Sequence, residues 1–217
     1  MPKISRNVLS NKVYTALKEM IADDRFKPGT RLNVEKISKE LVVSRTPVWE
    51  AVRRLQQEGL LENIPYRGVF MAEITPERTL ELCQVREALE GLAARLAATN
   101  ASERVLEKMA ETLENQSKVI EKGDLIGYSR TDFDFHSLIH RMSHNSVLQE
   151  MLESLKTKMQ PITTEVKPIL PKLYEDHLEI MEAIRSKDPE KSEKVLRRHN
   201  RALQNQIQKE IERPGKR

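Results

Sequence analysis

The stretch PGTRLNVEKISKELVVSRTPVWEAVRRLQQEGLLENIPYRGVFM, residues 28–71, decides how the first third of the chain folds. Pro28-Gly29 breaks the chain into a turn, because proline fixes its own backbone and glycine tolerates almost any. Val34, Ile37 and Leu41 then recur at the spacing of a short helix. Ser44-Arg45-Thr46-Pro47 reads as the start of another, with Ser44 or Thr46 as cap and Pro47 in the first turn. Val48, Ala51, Val52 and Leu55 give that helix one apolar face, and Gly59 ends it. Leu60-Leu61 and Val69-Phe70-Met71 read as two short strands around a turn holding Pro65 and Gly68.

Working outward, Val13, Leu17, Met20 and Ile21 mark an earlier helix over residues 10–23, with Ser10 as its expected N-cap. Ile74-Thr75-Pro76 reads as a linker in which Thr75 caps the next helix. Three helices followed by a two-stranded wing make a winged helix-turn-helix domain over residues 1–75. In that plan the recognition helix lies in the major groove of DNA, buried on one side against its own domain. Opposite the buried stripe, Arg45, Trp49 and Arg53 recur every four residues. An arginine can make two parallel hydrogen bonds to the O6 and N7 of guanine. Ser44 or Thr46, near the helix start, can hold a phosphate with hydroxyl and backbone N–H. Arg67, beside Gly68 at the hairpin tip, can reach the adjacent minor groove. A basic helix face is also compatible with plain solvation. The net charge of +4 lies wholly within residues 1–75, the remainder being balanced, which suits a DNA partner for that part.

From residue 76 onward only helices are needed. Six are predicted, near 76–99, 103–122, 124–143, 145–167, 171–186 and 189–212, forming an all-α antiparallel bundle over residues 76–213. Aromatics make up only 4% of a chain rich in Ala, Leu, Glu, Lys and Arg, so the fold class is mainly α. Residues 214–217 are expected to be a disordered tail. No apolar run approaches the ~20 residues that cross a bilayer, so no membrane partner is expected. The opening residues lack the apolar core of a secretory signal, and Cys83 is the sole cysteine. A cytoplasmic location is the reading.

The bundle carries a second signal. Asp132 and His136, four residues apart, share one helix face with Leu125, Tyr128, Phe135 and Ile139. His177 lies among Leu173, Ile180, Met181 and Ile184, and His199 among Val195, Leu196 and Leu203. Three histidines and one aspartate thus point inward from three helices. A buried carboxylate is costly without a partner, and a divalent cation would satisfy all four groups. The donor set suits Zn²⁺, Ni²⁺, Mn²⁺ or Fe²⁺, zinc first. Each histidine could instead be an ordinary hydrogen-bonded core residue. Arg86 falls on an inward stripe with Leu82, Leu89, Ala93 and Leu96, where it could bind an effector carboxylate or pair with Glu90 one turn away. His140 could line the same pocket; His144 belongs to a turn. Cys83 reads as a small apolar core residue.

The quoted stretch resembles the DNA-binding domain of GntR-type bacterial regulators, whose signature runs from Pro-Gly-…-Leu through Val-Ser-Arg-Thr-Pro-Val to Glu-Gly-Leu and a glycine-containing wing. The resemblance implies DNA contacts by Ser44, Arg45 and Thr46, and a wing glycine at Gly68. Trp49 stands where the family usually has a second recognition arginine. Tryptophan offers one N–H donor, so the operator sequence is left open; Trp49 could pack on a thymine methyl, or Arg53 take part of the readout. VREALEGLAARLAA, DFDFHSLI, the turn at Asn145, HLEIMEAI and His199 resemble the FCD sensor domain of the FadR subgroup, with six helices as in its VanR-type branch. That resemblance implies a metal on Asp132, His136, His177 and His199, and a small organic acid as effector, met in part by Arg86. The family's fourth sensor helix often adds arginines, but Met159-Gln160-Pro161-Ile162-Thr163-Thr164 holds none, implying a smaller or less anionic ligand. Together these imply a ligand-responsive regulator, expected to repress, that binds an inverted-repeat operator as a homodimer. A metalloenzyme fused to a DNA-binding domain and a helical interaction module are the alternatives. No catalytic residue is singled out.

Overall fold

The computed structural model describes residues 6–23, 25–159 and 167–212. The chain forms two compact units, one of residues 1–74 together with 156–163, the other of residues 75–155 together with 164–217.

The first unit runs α1 (Arg6–Ala22), α2 (Val34–Glu40), α3 (Arg45–Gln57), β1 (Leu61–Ile64) and β2 (Gly68–Met71). Its core is the stripe expected from spacing: Val13, Leu17, Ile37, Val48, Ala51, Val52 and Leu55 are all buried. One cap differs from expectation. Ser10 does not cap α1 but lies inside it, buried, its hydroxyl donating to Glu50 Oε2 of α3 at 2.5 Å. Thr46 is within α3 and Ser44 is the residue before it, though the Ser44 side chain makes no capping bond. Asn33 caps α2 by accepting from the Lys36 N–H at 2.9 Å, a role the sequence reading did not give it. β1 and β2 pair antiparallel, Leu61 opposite Met71 and Ile64 opposite Gly68. Thr30 and Leu32 bond to Met71 and Val69, so the chain entering α2 runs beside the wing as well. Gly68 opens β2 with φ +103°, a backbone that L side chains rarely adopt.

After Thr75 come six α-helices among the described residues: α4 (Pro76–Asn100), α5 (Glu103–Glu121), α6 (Leu125–Met142), α7 (Ser146–Met159), α8 (Leu170–Arg185) and α9 (Pro189–Ile211), all in the second unit except α7 from Lys156 on. Thr75, Asp124 and Asp188 cap α4, α6 and α9, each accepting from a backbone N–H three residues on. A 3₁₀ turn, Lys167–Ile169, leads into α8. The predicted fourth sensor helix reached residue 167; α7 is described to Met159, and Gln160–Thr164 lie outside the described residues, as does the predicted tail at 214–217. α4 lies along α9, α5 against α6 and α8, and α8 against α9. Ala93, Ala94 and Ala97 of α4 meet Val195 and Leu196 of α9 in one core with Phe135, Ile139, Ile180 and Ile184. Gly91 permits the close crossing, since a Cβ there would come within 2.8 Å of the Arg197 side chain. Leu125, expected on the buried face, is 44% exposed because it is the first residue of α6, ahead of the turn that Tyr128 buries.

Candidate regulatory sites

Within the first unit, α3 turns its apolar stripe inward and leaves Arg45, Thr46, Trp49 and Arg53 exposed. Ser44 is exposed just ahead of them, its hydroxyl not spent on the helix. Trp49 is 40% exposed, a large apolar surface beside two cations. Arg45 Nη2 lies 3.2 Å from Glu35 Oε1, an exposed carboxylate also bridged by Lys39 and held below the usual carboxylate range, first by the Lys39 hydrogen bond and then by Arg45. Arg54, next to Arg53, is used internally: its guanidinium stacks 3.8 Å over the Tyr14 ring and donates to Asn11 at 2.7 Å. Arg67 is exposed at the wing, its guanidinium 5.3 Å from the Phe70 ring. Arg31, which the sequence reading passed over, lies against the wing glycine; a Cβ on Gly68 would meet Arg31 Nε at 3.3 Å. The unit therefore presents an arginine-bearing helix and an arginine-bearing wing.

Within the second unit, α6, α8 and α9 bring Asp132, His136, His177 and His199 together. One donor atom from each lies within 4.8 Å of all the others. His177 Nε2 is 3.3 Å from His199 Nε2 and 3.4 Å from Asp132 Oδ1, and His136 Nε2 is 3.9 Å from Asp132 Oδ1. The three histidines are buried and Asp132 is half-buried. Burial pushes His177 well below the usual histidine range, helped by the neighbouring His199 and His136; burial and then His136 do the same to His199. Both rings are therefore neutral, the form that ligates metals. Tyr128 donates to Asp132 Oδ1 at 3.3 Å, and burial followed by the Asp132 charge raises its phenol.

Behind each of the three rings stands a polar side chain that spacing did not disclose. His177 Nδ1 donates to Gln116 Oε1 of α5 at 2.7 Å. His136 Nδ1 faces Glu90 Oε1 of α4 at 3.2 Å, without the alignment of a full hydrogen bond. His199 Nδ1 faces Asp176 Oδ2 at 3.9 Å, and both atoms are buried without a hydrogen-bond partner. Each Nδ1 is thus turned toward an acceptor group, and with its proton on Nδ1 each ring would present an Nε2 lone pair to the others. His177 Nε2 and His199 Nε2 lie at hydrogen-bond distance, 3.3 Å, and a cation would satisfy both where neither carries the proton, so the donor set fits a cation. His136 Nε2 is itself buried and unbonded.

Arg86 pairs with Glu90: its Nε is 3.1 Å from Glu90 Oε1, while its Nη2 stands 4.0 Å from Asp132 Oδ2. Burial opposes the Arg86 charge, but Glu90 and Asp132 outweigh it and hold the guanidinium protonated. Burial likewise opposes ionisation of Glu90, and Arg86, then His136, bring it well below the usual carboxylate range. His140 Nε2 donates to the same oxygen at 3.2 Å, and Asn200 donates to Glu90 Oε2 at 2.8 Å. Glu90 is the acceptor at the centre of this network, a residue the sequence reading treated only as a partner for Arg86. His144 sits exposed in the turn after α6 with φ 51°. Cys83 is buried, and its surroundings push the thiol up to about 11.

Residues 9–71 match the family described as bacterial regulatory proteins, gntR family, and residues 81–202 match the FCD domain. The chain belongs to the GntR family. Its members, and the relatives of this one, are DNA-binding transcriptional regulators rather than enzymes. This GntR regulator is 36% identical over 141 residues to the uncharacterized HTH-type transcriptional regulator YdhC of Bacillus subtilis, a match covering 64% of the chain and 63% of YdhC. It is 29% identical over 199 residues to a probable D-xylose utilization operon transcriptional repressor of Paenarthrobacter nicotinovorans, covering 91% and 88% of the two chains. Among solved structures it is similar to E. coli McbR/YncC, with TM-score 0.82, 26% identity and coverage of 94% and 98%. No helix among the described residues is long and apolar enough to cross a membrane.

Proposed function

We propose that this GntR regulator is a metal-dependent repressor that binds an inverted-repeat operator as a homodimer and responds to a small organic acid. The observation that carries the sensor half is the convergence of three imidazole nitrogens and one carboxylate in a domain joined to a DNA reader. Asp132, His136, His177 and His199 would hold a divalent transition ion, zinc first by donor set. Such an ion, when bound, supplies a Lewis-acidic anchor for an oxygen of the effector. Arg86 stands 4.0 Å from Asp132 and carries a second positive charge at that centre. A carboxylate can draw its guanidinium into paired hydrogen bonds at the expense of its contact with Asp132. His140, on the next turn of α6, lines the same region through Glu90.

On the DNA side, Arg45 reads a guanine, Ser44 and Thr46 hold phosphate, and Trp49 and Arg53 extend the contact along the groove. Arg67 and Gly68 approach the minor groove. A homodimer spans two half-sites about one helical turn apart. The effector acts by binding one disposition of the two readers better than another.

The test begins with duplexes selected from a random pool. Binding is followed by fluorescence anisotropy against salt, with ion content measured by atomic emission. Expected are a salt-steep affinity, one ion per chain, and altered DNA affinity on adding small mono-, di- or tricarboxylates. Absence of salt-sensitive affinity for any duplex overturns the DNA half. A chain that retains no ion, and takes up none from zinc or nickel solutions, overturns the sensor half.

A further inference from the structure

Three buried polar side chains have no explanation as packing. Gln116 is fully buried on α5, Glu90 on α4 and Asp176 on α8, and each stands behind a different histidine of the convergent set. Burying an amide or carboxylate costs free energy unless it makes a specific bond. Gln116 spends its carbonyl oxygen on His177 Nδ1 at 2.7 Å, while its own Nε2 is left without a partner. Glu90 is anchored by Arg86 and Asn200 with one oxygen 3.2 Å from His136 Nδ1. Asp176 has Oδ1 tied by Lys172 at 2.8 Å and by Arg198 at 3.1 Å, which leaves Oδ2 turned toward His199 Nδ1.

We infer that Gln116, Glu90 and Asp176 are positioning residues that fix all three imidazoles with the proton on Nδ1, so that every Nε2 presents a lone pair to the same point. This rests on the metal reading above and adds to it the residues that make the site selective for a cation. A neutral imidazole has one donor and one acceptor nitrogen, and the acceptor placed behind it decides which is which. Groups standing behind metal-bound histidines commonly change ion affinity by roughly 10–100-fold when removed. The three differ in charge: Gln116 is neutral, whereas Glu90 and Asp176 are carboxylates balanced by arginine or lysine. Gln116 is therefore the position where the acceptor can be removed without unpairing a buried charge.

The probe is zinc, titrated into the full-length protein in competition with a chromophoric chelator. Gln116→Met keeps the volume and removes the acceptor; it is expected to weaken zinc about 10–100-fold. Gln116→Glu restores an acceptor and is expected to bind at least as tightly as the native chain. Glu90→Gln and Asp176→Asn keep an acceptor oxygen, and their losses are expected to fall between the two. A readout independent of zinc is the histidine ¹⁵N spectrum of the ion-free protein. It should show His177 with its proton on Nδ1 in the native chain and on Nε2, or exchanging, in Gln116→Met. Native zinc affinity together with a native His177 spectrum in Gln116→Met overturns this inference alone. A native chain that binds no zinc overturns the metal reading and this inference with it.

Discussion

The two units use polar side chains in opposite ways. In the DNA-reading unit the working residues are exposed and hang from an apolar scaffold that does not depend on them; Arg45, Trp49 and Arg53 could all change while Val48, Val52 and Leu55 stay packed. In the FCD unit the candidate ligands are part of the interior. His136, His177 and His199 are each flanked by core residues and by a second polar group from another helix. The exposed candidate residues can therefore be altered at little cost to folding, whereas the histidine cluster and the bundle's stability are one system.

The sharpest way to break this contrast is His177→Ala. Zinc in hundredfold excess over its Kd should stabilise the native chain by about 2.7 kcal/mol, read as a rise in Tm. The variant should lose that rise, with zinc binding weakened by more than ~100-fold, beyond the range for outer partners. Arg45→Ala should do the reverse. The zinc-dependent rise in Tm stays, and affinity for the selected duplex falls by about 1–3 kcal/mol. If Arg45→Ala also abolished the zinc response, the two units would not be separable in this way.

A third variant sharpens the reading side. Trp49→Arg should change which duplexes are selected from a random pool more than how tightly the best is bound, adding preference for a guanine by about 1–3 kcal/mol. An unchanged selected sequence would mean that Trp49 faces no base. Gly68→Ala should cost about 1–3 kcal/mol of local stability from the strained φ alone, with Arg31 displaced from its place beside the wing. Hydrogen exchange at Val69 and Met71 would report it. The smallest expected effect is at Cys83. With its thiol pushed up to about 11, alkylation at neutral pH should be slow in the native protein and fast in urea; rapid native alkylation would show that α4 is open there.

The same contrast explains what could be read from the sequence. Apolar spacing located the helices, because Val13, Leu17, Val48, Val52, Ile139, Ile180 and Leu196 are buried for no reason beyond hydrophobicity. It also turned Asp132, His136, His177 and His199 inward. It could not supply Gln116, Asp176 or Asn200, since the distances from α5 to His177, from α8 to His199 and from α9 to Glu90 are set by tertiary packing. Glu90 was visible only as the fourth residue after Arg86, although it also serves His136, His140 and Asn200. Ser10 was misread for a related reason. Its cap-like chemistry is real, but the partner is Glu50, forty residues on, rather than a nearby backbone N–H.

The pairing of Arg45 with Glu35 has a consequence for how a sequence is searched. If Arg45 meets a base edge as proposed, its guanidinium would exchange the exposed Glu35 carboxylate for another acceptor, and Glu35 would be left among phosphates that repel it. Non-cognate duplex, offering phosphate without a well-placed guanine, gains least from that trade. On that reading a carboxylate on α2 would act as a threshold that only a correct site overcomes, and Glu35→Gln should blur discrimination before it weakens attachment.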